Sequence, residues 1–220
     1  MCIISSSVLN SDLSNLGKEV ERVTRAGVDW LHIDVMDGIF VPPMTIGDVM
    51  VKSIRKHSDL IFDTHLMVQY PSERLIENFA KAGSDYITIH VESDCDVGEL
   101  LRYIRSLGCR AGLAVNPPTN IETVFPYIEL VDMFILMSVN PGYGGQAFIP
   151  ETLNKITALK KQINCQLSTV NCQLLIDGGI NEKTAPDAIK AGADILVAGT
   201  YLFNAPDMAK AVTALRSSAQ

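Results

Sequence analysis

The stretch Ala26-Gly27-Val28-Asp29, "AGVD", recurs as Ala82-Gly83-Ser84-Asp85 and as Ala191-Gly192-Ala193-Asp194, and Leu107-Gly108-Cys109-Arg110 is a looser fourth copy. Each copy follows an amphipathic segment and precedes a β-branched or aromatic run. A glycine that can adopt a positive φ commonly ends a helix. The repeating unit is therefore predicted to be a helix, a glycine cap and then a strand.

Counting these units gives eight strands that alternate with helical patterns. The strands are predicted near 3–6, 30–35, 61–67, 86–91, 111–115, 132–137, 173–177 and 195–198, and the helices near 12–25, 47–57, 72–81, 97–107, 121–127, 151–163, 183–191 and 207–217. This alternation implies right-handed crossovers and a parallel sheet. Eight units in 220 residues predict an α/β fold, a (β/α)₈ TIM barrel forming a single catalytic domain over 1–220. An open doubly wound sheet is the alternative, although it usually has fewer strands and no G-x-G-x-x-G follows the first strand.

The composition of the chain indicates which classes of binding partner are excluded and which cellular compartment is expected. The net charge of −7, without a Lys/Arg run, argues against binding to nucleic acid or to a membrane surface. No apolar run approaches about 18 residues, and the N-terminus lacks the features of a secretory signal. Five scattered cysteines without a CxxC motif predict reduced thiols in a cytoplasmic protein.

Polar residues within apolar strands locate the candidate site. In "HIDVMDG", residues 32–38, strand alternation directs Ile33 and Val35 toward the helices and His32, Asp34 and Met36 into the barrel. The same alternation brings inward the side chains at the ends of three other strands, which are His65, Met67, Met137 and Asp177. Active sites of such barrels lie at this C-terminal end of the strands.

Two imidazoles and two carboxylates, from His32, Asp34, His65 and Asp177, can ligate one divalent ion such as Zn²⁺, Fe²⁺, Mn²⁺ or Co²⁺. A cation would offset the cost of burying two like charges. The alternative is that each residue is a hydrogen-bonded core residue or a strand-end cap.

Three further polar residues near these strand ends are less decisive. Asp37 has the parity of the opposite face and is predicted to be a loop or capping residue. His90 and Glu92 share one face of the fourth strand, so they could either support the site or be structural.

Glycine-rich turns follow the last three strands, at 140–146, 177–180 and 198–200. Glycine lets backbone N–H groups approach an anion closely, and the loops after strands seven and eight often bind phosphate in this architecture. The alternative is three tight turns without a ligand. No GxxxxGK[ST] motif is present, which argues against a nucleotide-triphosphate P-loop.

The segments "HIDVMDGIFVP", "DTHLMV", "MSVNPGYGGQAFIP", "IDGGI" and "AGAD…VAGT", in this order over nearly the whole chain, resemble the ribulose-phosphate 3-epimerase family. The resemblance implies a (β/α)₈ barrel of the pentose phosphate pathway. It also implies that a bound divalent metal assists the interconversion of D-ribulose 5-phosphate and D-xylulose 5-phosphate.

The resemblance also implies roles for particular residues. The metal would be held by His32, Asp34, His65 and Asp177, and Asp34 and Asp177 would be the acid/base pair of an enediolate mechanism; which of the two starts as base depends on the direction of reaction. Met36, Met67 and Met137 would form an apolar wall over the enediolate. The sugar phosphate would contact Ser7, His65, Gly142, Tyr143, Gly144, Gly145, Asp177, Gly178, Gly179, Gly199 and Thr200.

Three positions depart from the family's usual residues: Ser6 replaces proline, Pro43 asparagine and Thr200 serine. They leave a six-carbon alternative, an allulose-6-phosphate 3-epimerase. A barrel decarboxylase or aldolase-like synthase would have D-x-K-x-x-D on the third strand, where this chain has "DTHLMV" without a lysine. A non-catalytic sugar-phosphate-binding protein is a further alternative. A homo-oligomer is expected by default for such an enzyme.

Overall fold

The computed structural model describes residues 2–166 and 172–218. Eight parallel strands close into a barrel in sequential order, which confirms the predicted (β/α)₈ TIM barrel. The strands are β1 (Ile3–Ser7), β2 (Trp30–Met36), β3 (Ile61–Met67), β4 (Tyr86–His90), β5 (Arg110–Val115), β6 (Met133–Met137), β7 (Gln173–Asp177) and β8 (Ile195–Ala198).

Helices surround the barrel, and one predicted helix is replaced by a different structure. They are α1 (Leu16–Arg25), α2 (Asp48–Arg55), α3 (Glu73–Ala82), α4 (Val97–Ser106), α5 (Thr152–Gln166), α6 (Ala185–Ala191), α7 (Thr200–Phe203) and α8 (Met208–Ser217). The helix predicted near 121–127 is instead a 3₁₀ segment, Ile121–Leu130. Pro126 lies inside this segment and cannot donate the backbone hydrogen bond that an α-helix requires.

Four aspartates join neighbouring strands at the N-terminal rim, and three of them end copies of the repeat. Asp29, Asp85, Asp132 and Asp194 each lie just before an even-numbered strand, and we call them the strand-start aspartates. Each carboxylate accepts a backbone N–H from the preceding odd-numbered strand, at Ile4, Phe62, Ala111 and Leu174 respectively, over 2.7–2.9 Å. Each aspartate N–H donates back to the carbonyl of that same residue. These carboxylates therefore add contacts at the N-terminal rim between β1 and β2, β3 and β4, β5 and β6, and β7 and β8.

The fourth strand-start aspartate is not in the fourth sequence copy. Gly108 adopts φ +84°, as a helix-ending glycine should, but the residue that follows it at the strand start is Arg110. Asp132 fills the role instead, and it follows the 3₁₀ segment, where no glycine is needed. The sequence copy at 107–110 marks a helix-to-strand junction without the carboxylate contact.

Replacing Asp132 by alanine should lower the free energy of unfolding by about 1–3 kcal/mol, because the Ala111 N–H loses its acceptor. Asp132→Asn is the matched control. It keeps an acceptor oxygen and removes only the charge, whose partner Arg105 lies 3.9 Å away, so its loss of stability should be smaller. Urea unfolding of both variants measures the difference, and equal losses would contradict this account.

The core has two apolar layers. Side chains such as Leu31, Ile33 and Val35 of β2 pack between the barrel and the helices, whereas Trp30, Ile135 and others fill the barrel interior toward its N-terminal end. The upper interior combines buried polar side chains with the buried methionines Met36 and Met67, and the alternation predicted for β2 is confirmed. In the described part of the chain, no helix has both the length and the apolar character needed to cross a membrane.

Candidate active site

Four side chains meet inside the C-terminal end of the barrel. One ligand atom from each of His32, Asp34, His65 and Asp177 lies within 4.8 Å of those of the other three. His32 Nε2 is 3.3 Å from Asp34 Oδ1 and 3.5 Å from Asp177 Oδ2. His65 Nδ1 is 3.5 and 3.8 Å from the same two oxygens. The structure thus brings together the four residues predicted as metal ligands.

A buried carboxylate fixes the orientation of His32. Its Nδ1 lies 2.7 Å from Asp63 Oδ2, and both side chains are fully buried. The Asp63 carboxylate is an acceptor, so Nδ1–H donates to it and Nε2 faces the cluster. Thr88 donates to the other oxygen of Asp63 at 3.4 Å. Gly112 leaves room for Thr88, because a Cβ at position 112 would lie 2.0 Å from the Thr88 hydroxyl oxygen.

The charges in the cluster call for a positive ion. Burial lowers the pKa of His32, but the carboxylates of Asp34, Asp63 and Asp177 outweigh it and raise that pKa well above its ordinary value. Burial raises the pKa of Asp34, but His32 and His65 outweigh it and lower that pKa below its ordinary value. Without another cation, a proton on an imidazole is the positive charge that the carboxylates stabilise.

The donor set fits a divalent metal ion. His32 Nε2 and His65 Nδ1 are both buried and have no hydrogen-bond partner within residues 2–166 and 172–218. Both atoms face the same two carboxylate oxygens. A buried nitrogen without a partner is costly, and coordination would satisfy both. Two imidazoles and two carboxylates are suitable ligands for Zn²⁺, Fe²⁺, Mn²⁺ or Co²⁺.

Two residues on β4 and just after it lie behind His65. His65 Nε2 is 2.8 Å from His90 Nε2, and His90 Nδ1 is 3.0 Å from Glu92 Oε2. Burial lowers the pKa of His90 to about 4, so the imidazole is neutral. Burial raises the pKa of Glu92, but hydrogen bonding to His90 helps to lower it below its ordinary value. Of the two interpretations from sequence, the structure favours contact with the site.

A cavity of about 1260 Å³ lies above the cluster. Asp34 and Asp177 reach its surface, whereas His32 and His65 are fully buried beneath it. Met36, Met67 and Met137 line the same cavity and are themselves buried. Ser7 also lines it, and its hydroxyl donates to Asp34 Oδ2 over 2.6 Å. The cavity therefore combines two carboxylates with an apolar thioether surface.

The predicted phosphate loops line the other side of the cavity. All of the predicted contacts in these loops are among its lining residues: Gly142, Tyr143, Gly144, Gly145, Gly178, Gly179, Gly199 and Thr200. Gly179 has φ +66°, and a Cβ there would lie 2.7 Å from the backbone of Phe148. Thr200 Oγ1 is buried without a hydrogen-bond partner in the described part of the chain. Close packing at Gly179 thus excludes a side chain there, and the Thr200 hydroxyl is available to an anion.

Sequence reasoning missed Asp63 and placed Asp37 correctly. Asp63 has the same strand parity as His65 and Met67, so the alternation of β3 was a usable signal for it. Asp37 lies in the loop after β2, where its carboxylate accepts the N–H groups of Ile39, Phe40 and Gln69, each over 2.8 Å. Asp37 organises the loops beside the cavity and lies outside the cluster of two histidines and two aspartates.

Comparison with known proteins gives the family. A profile of the "Ribulose-phosphate 3 epimerase family" matches residues 3–203. The chain belongs to the ribulose-phosphate 3-epimerase family. It is 42% identical over 218 residues to the ribulose-phosphate 3-epimerase of Synechocystis sp., covering 98% of this chain and 94% of that protein. It is 39% identical over 218 residues to the enzyme of the same name from Bacillus subtilis, covering 99% and 100% of the two chains.

Solved structures show how widely this family's fold is shared. The 3-keto-L-gulonate-6-phosphate decarboxylase from Vibrio cholerae superposes with a TM-score of 0.72, over 99% of this chain and 97% of that one. The two sequences are only 14% identical. At that identity the likeness concerns the fold alone, so the chemistry is argued from the site and from the family.

Proposed function

We propose that this chain inverts C3 of D-ribulose 5-phosphate to give D-xylulose 5-phosphate, the epimerase reaction of the pentose phosphate pathway. One observation carries the proposal: the carboxylates of Asp34 and Asp177 reach the cavity floor, while His32 Nε2 and His65 Nδ1, which have no hydrogen-bond partner among the described residues, face them from below. Membership of the family supports the choice of this reaction, and the names of the close relatives support the five-carbon substrate.

The reaction needs a proton carrier for each face of C3. The C3 hydrogen is weakly acidic because it is next to the C2 carbonyl, so a base removes it and an acid returns a proton to the other face. Asp34 and Asp177 are the two carboxylates at the cavity floor, and one starts ionised while the other starts protonated. His32, Asp34, His65 and Asp177 would hold a divalent cation, which would supply Lewis-acid stabilisation of the negative charge that develops when the C3 proton leaves.

Other residues of this chain orient the substrate and keep the site dry. Ser7 holds Asp34 through a hydrogen bond of 2.6 Å and lies where it can also contact the sugar. Met36, Met67 and Met137 have no exchangeable proton, so they exclude water without competing for the proton at C3. The glycine loops and Thr200 bind the phosphate, and a fixed remote end keeps C3 near both carboxylates.

An assay of the purified chain tests the proposal. Removal of divalent metal with a chelator should abolish epimerisation, and adding back single ions should restore it. Mixed imidazole and carboxylate sites accept Zn²⁺, Fe²⁺, Mn²⁺ and Co²⁺, so metal analysis of the purified protein identifies the resident ion. We expect a higher kcat/KM on D-ribulose 5-phosphate than on D-allulose 6-phosphate. The reverse preference would favour the six-carbon alternative, and inactivity with every ion would contradict the proposal.

We also propose that the protein is a homo-oligomeric, cytoplasmic enzyme with one catalytic domain. Exposed apolar side chains lie on the loops after β2 and β3 and on α2, namely Ile39, Met44, Val49 and Tyr70, which are 61–78% exposed. Covering such side chains is a usual role of a subunit interface. The five cysteines are free thiols, as expected in a reducing compartment. Sedimentation velocity at assay concentrations tests the association, and a monomer would contradict it.

A further inference from the structure

A line of hydrogen bonds leads from His65 away from the metal cluster. His65 Nε2 is 2.8 Å from His90 Nε2, and both imidazoles are fully buried. The two ring planes are inclined by only 24° and the ring centroids are 4.9 Å apart, so the rings meet end to end, as an in-plane N–H bond requires. A hydrogen bond between two neutral imidazole nitrogens needs one N–H and one lone pair. The tautomer of His90 therefore decides which nitrogen of His65 carries hydrogen.

Glu92, at the far end of this line of hydrogen bonds, determines which nitrogen donates in each bond. Glu92 Oε1 accepts the backbone N–H of Asn116 over 2.8 Å, and Oε2 lies 3.0 Å from His90 Nδ1. A carboxylate can only accept, so His90 donates from Nδ1 and accepts at Nε2. His65 then donates from Nε2, and its Nδ1 keeps a lone pair. That nitrogen is the one that is buried, has no partner among the described residues and faces Asp34 and Asp177.

We propose that Glu92 and His90 are positioning residues that hold His65 in the tautomer whose Nδ1 can bind the metal ion. The inference rests on the proposed function, because it concerns the same metal centre. His32 is oriented directly by the Asp63 carboxylate, whereas His65 depends on a carboxylate that acts through a second imidazole. The two metal-binding histidines are thus fixed by different routes.

The segment that supports Glu92 is itself held from α5. Lys155 Nζ donates to the backbone carbonyls of Asn116, Pro117 and Thr119 over 2.5–3.2 Å. These contacts hold the segment whose Asn116 N–H occupies Glu92 Oε1. With Oε1 directed at the Asn116 N–H, Oε2 is the oxygen that faces His90. The backbone contacts of Lys155 therefore help to fix the relay, by which we mean the hydrogen bonds from Glu92 through His90 to His65.

Glu92→Gln tests the direction of the relay with little change of shape. The Asn116 N–H still requires an acceptor, so the amide oxygen should stay there and place the NH₂ group against His90 Nδ1. The NH₂ group donates, which reverses both hydrogen bonds and puts a proton on His65 Nδ1. We expect Zn²⁺ affinity, measured by competition with a chromophoric chelator, to fall about 10- to 100-fold.

Glu21→Gln is the matched control. Glu21 accepts a hydrogen bond from His57 Nδ1 over 2.9 Å on the surface, so the variant alters the same kind of pair away from the cluster. It should bind Zn²⁺ like the unchanged chain. If Glu92→Gln also binds Zn²⁺ like the unchanged chain, the positioning role is overturned. If the unchanged chain itself binds no divalent ion, the proposed function fails instead.

Nitrogen NMR of the histidine side chains reads the tautomer without any assay of activity. In the metal-free chain at mildly alkaline pH, His65 should carry its proton on Nε2, and in Glu92→Gln on Nδ1. Glu21→Gln should leave the His65 signals unchanged. A proton on Nδ1 of His65 in the unchanged chain overturns the inference, whether or not Glu92→Gln folds.

Discussion

Replacing Asp34 by asparagine should lower kcat by about 10³-fold and abolish exchange with solvent deuterium of the C3 proton of the epimer for which Asp34 is the base. An amide can neither accept nor return the proton, and general acid–base catalysis of this kind contributes about 10²- to 10⁴-fold. The substitution also removes one negative charge from the cluster. Proton NMR of the substrate in deuterated buffer measures the exchange directly, and the metal content of the variant is measured in parallel.

Asp37→Asn is the matched control for Asp34→Asn. The two aspartates stand three positions apart, but the Asp37 carboxylate accepts backbone N–H groups of the neighbouring loops. Its replacement should lower stability while leaving C3 exchange detectable. Near-normal exchange of both epimers, D-ribulose 5-phosphate and D-xylulose 5-phosphate, in an Asp34→Asn protein that has bound metal would mean that a group other than Asp34 moves the proton.

Replacing Gly179 by alanine should lower kcat/KM by about 10²-fold, with the loss concentrated in phosphate binding. The backbone there has φ +66°, and the added Cβ would lie 2.7 Å from the backbone of Phe148. Backbone cannot give way as a flexible side chain can, so the loop must shift. A displacement of about 1 Å at a positioning group is enough for a loss of this size. Steady-state kinetics and competitive inhibition by inorganic phosphate measure the effect.

Gly27→Ala separates this effect from backbone strain alone. Gly27 has φ +85°, but a Cβ there meets nothing within 4 Å. Both alanines carry a comparable conformational cost, of about 1 kcal/mol or more. Only Gly179→Ala should weaken phosphate inhibition, and equal kinetics in the two variants would argue against a phosphate site at Gly179.

Much of the architecture follows from local patterns in the sequence. The glycines of all four copies of the repeat adopt positive φ, between +84° and +118°, and each is followed by a strand. The alternation of β2 separated the inward His32 and Asp34 from Ile33 and Val35. Such patterns are readable because helix ends and strand faces depend on neighbouring residues along the chain.

Contacts that depend on strand register could not be read in the same way. His32 meets Asp63 because these residues are partners in the β2–β3 register, and the register is set by packing of the whole barrel. His90 reaches His65 because the register between β3 and β4 brings these two residues close together. The 3₁₀ segment at 121–130 also escaped prediction, because its apolar residues Ile121, Val124 and Ile128 have the spacing of one face of an α-helix.

The strand-start aspartates join four pairs of strands at one rim of the barrel, and the cluster of two histidines and two aspartates lies at the other. His32 and Asp34 belong to the pair β1–β2, His65 to β3–β4 and Asp177 to β7–β8. A cation bound to all four side chains would therefore crosslink three of the four pairs. By thermodynamic linkage, its binding free energy would add to the stability of the folded barrel as a whole. Metal supply would then govern how long the protein lasts in the cell as well as how fast it works.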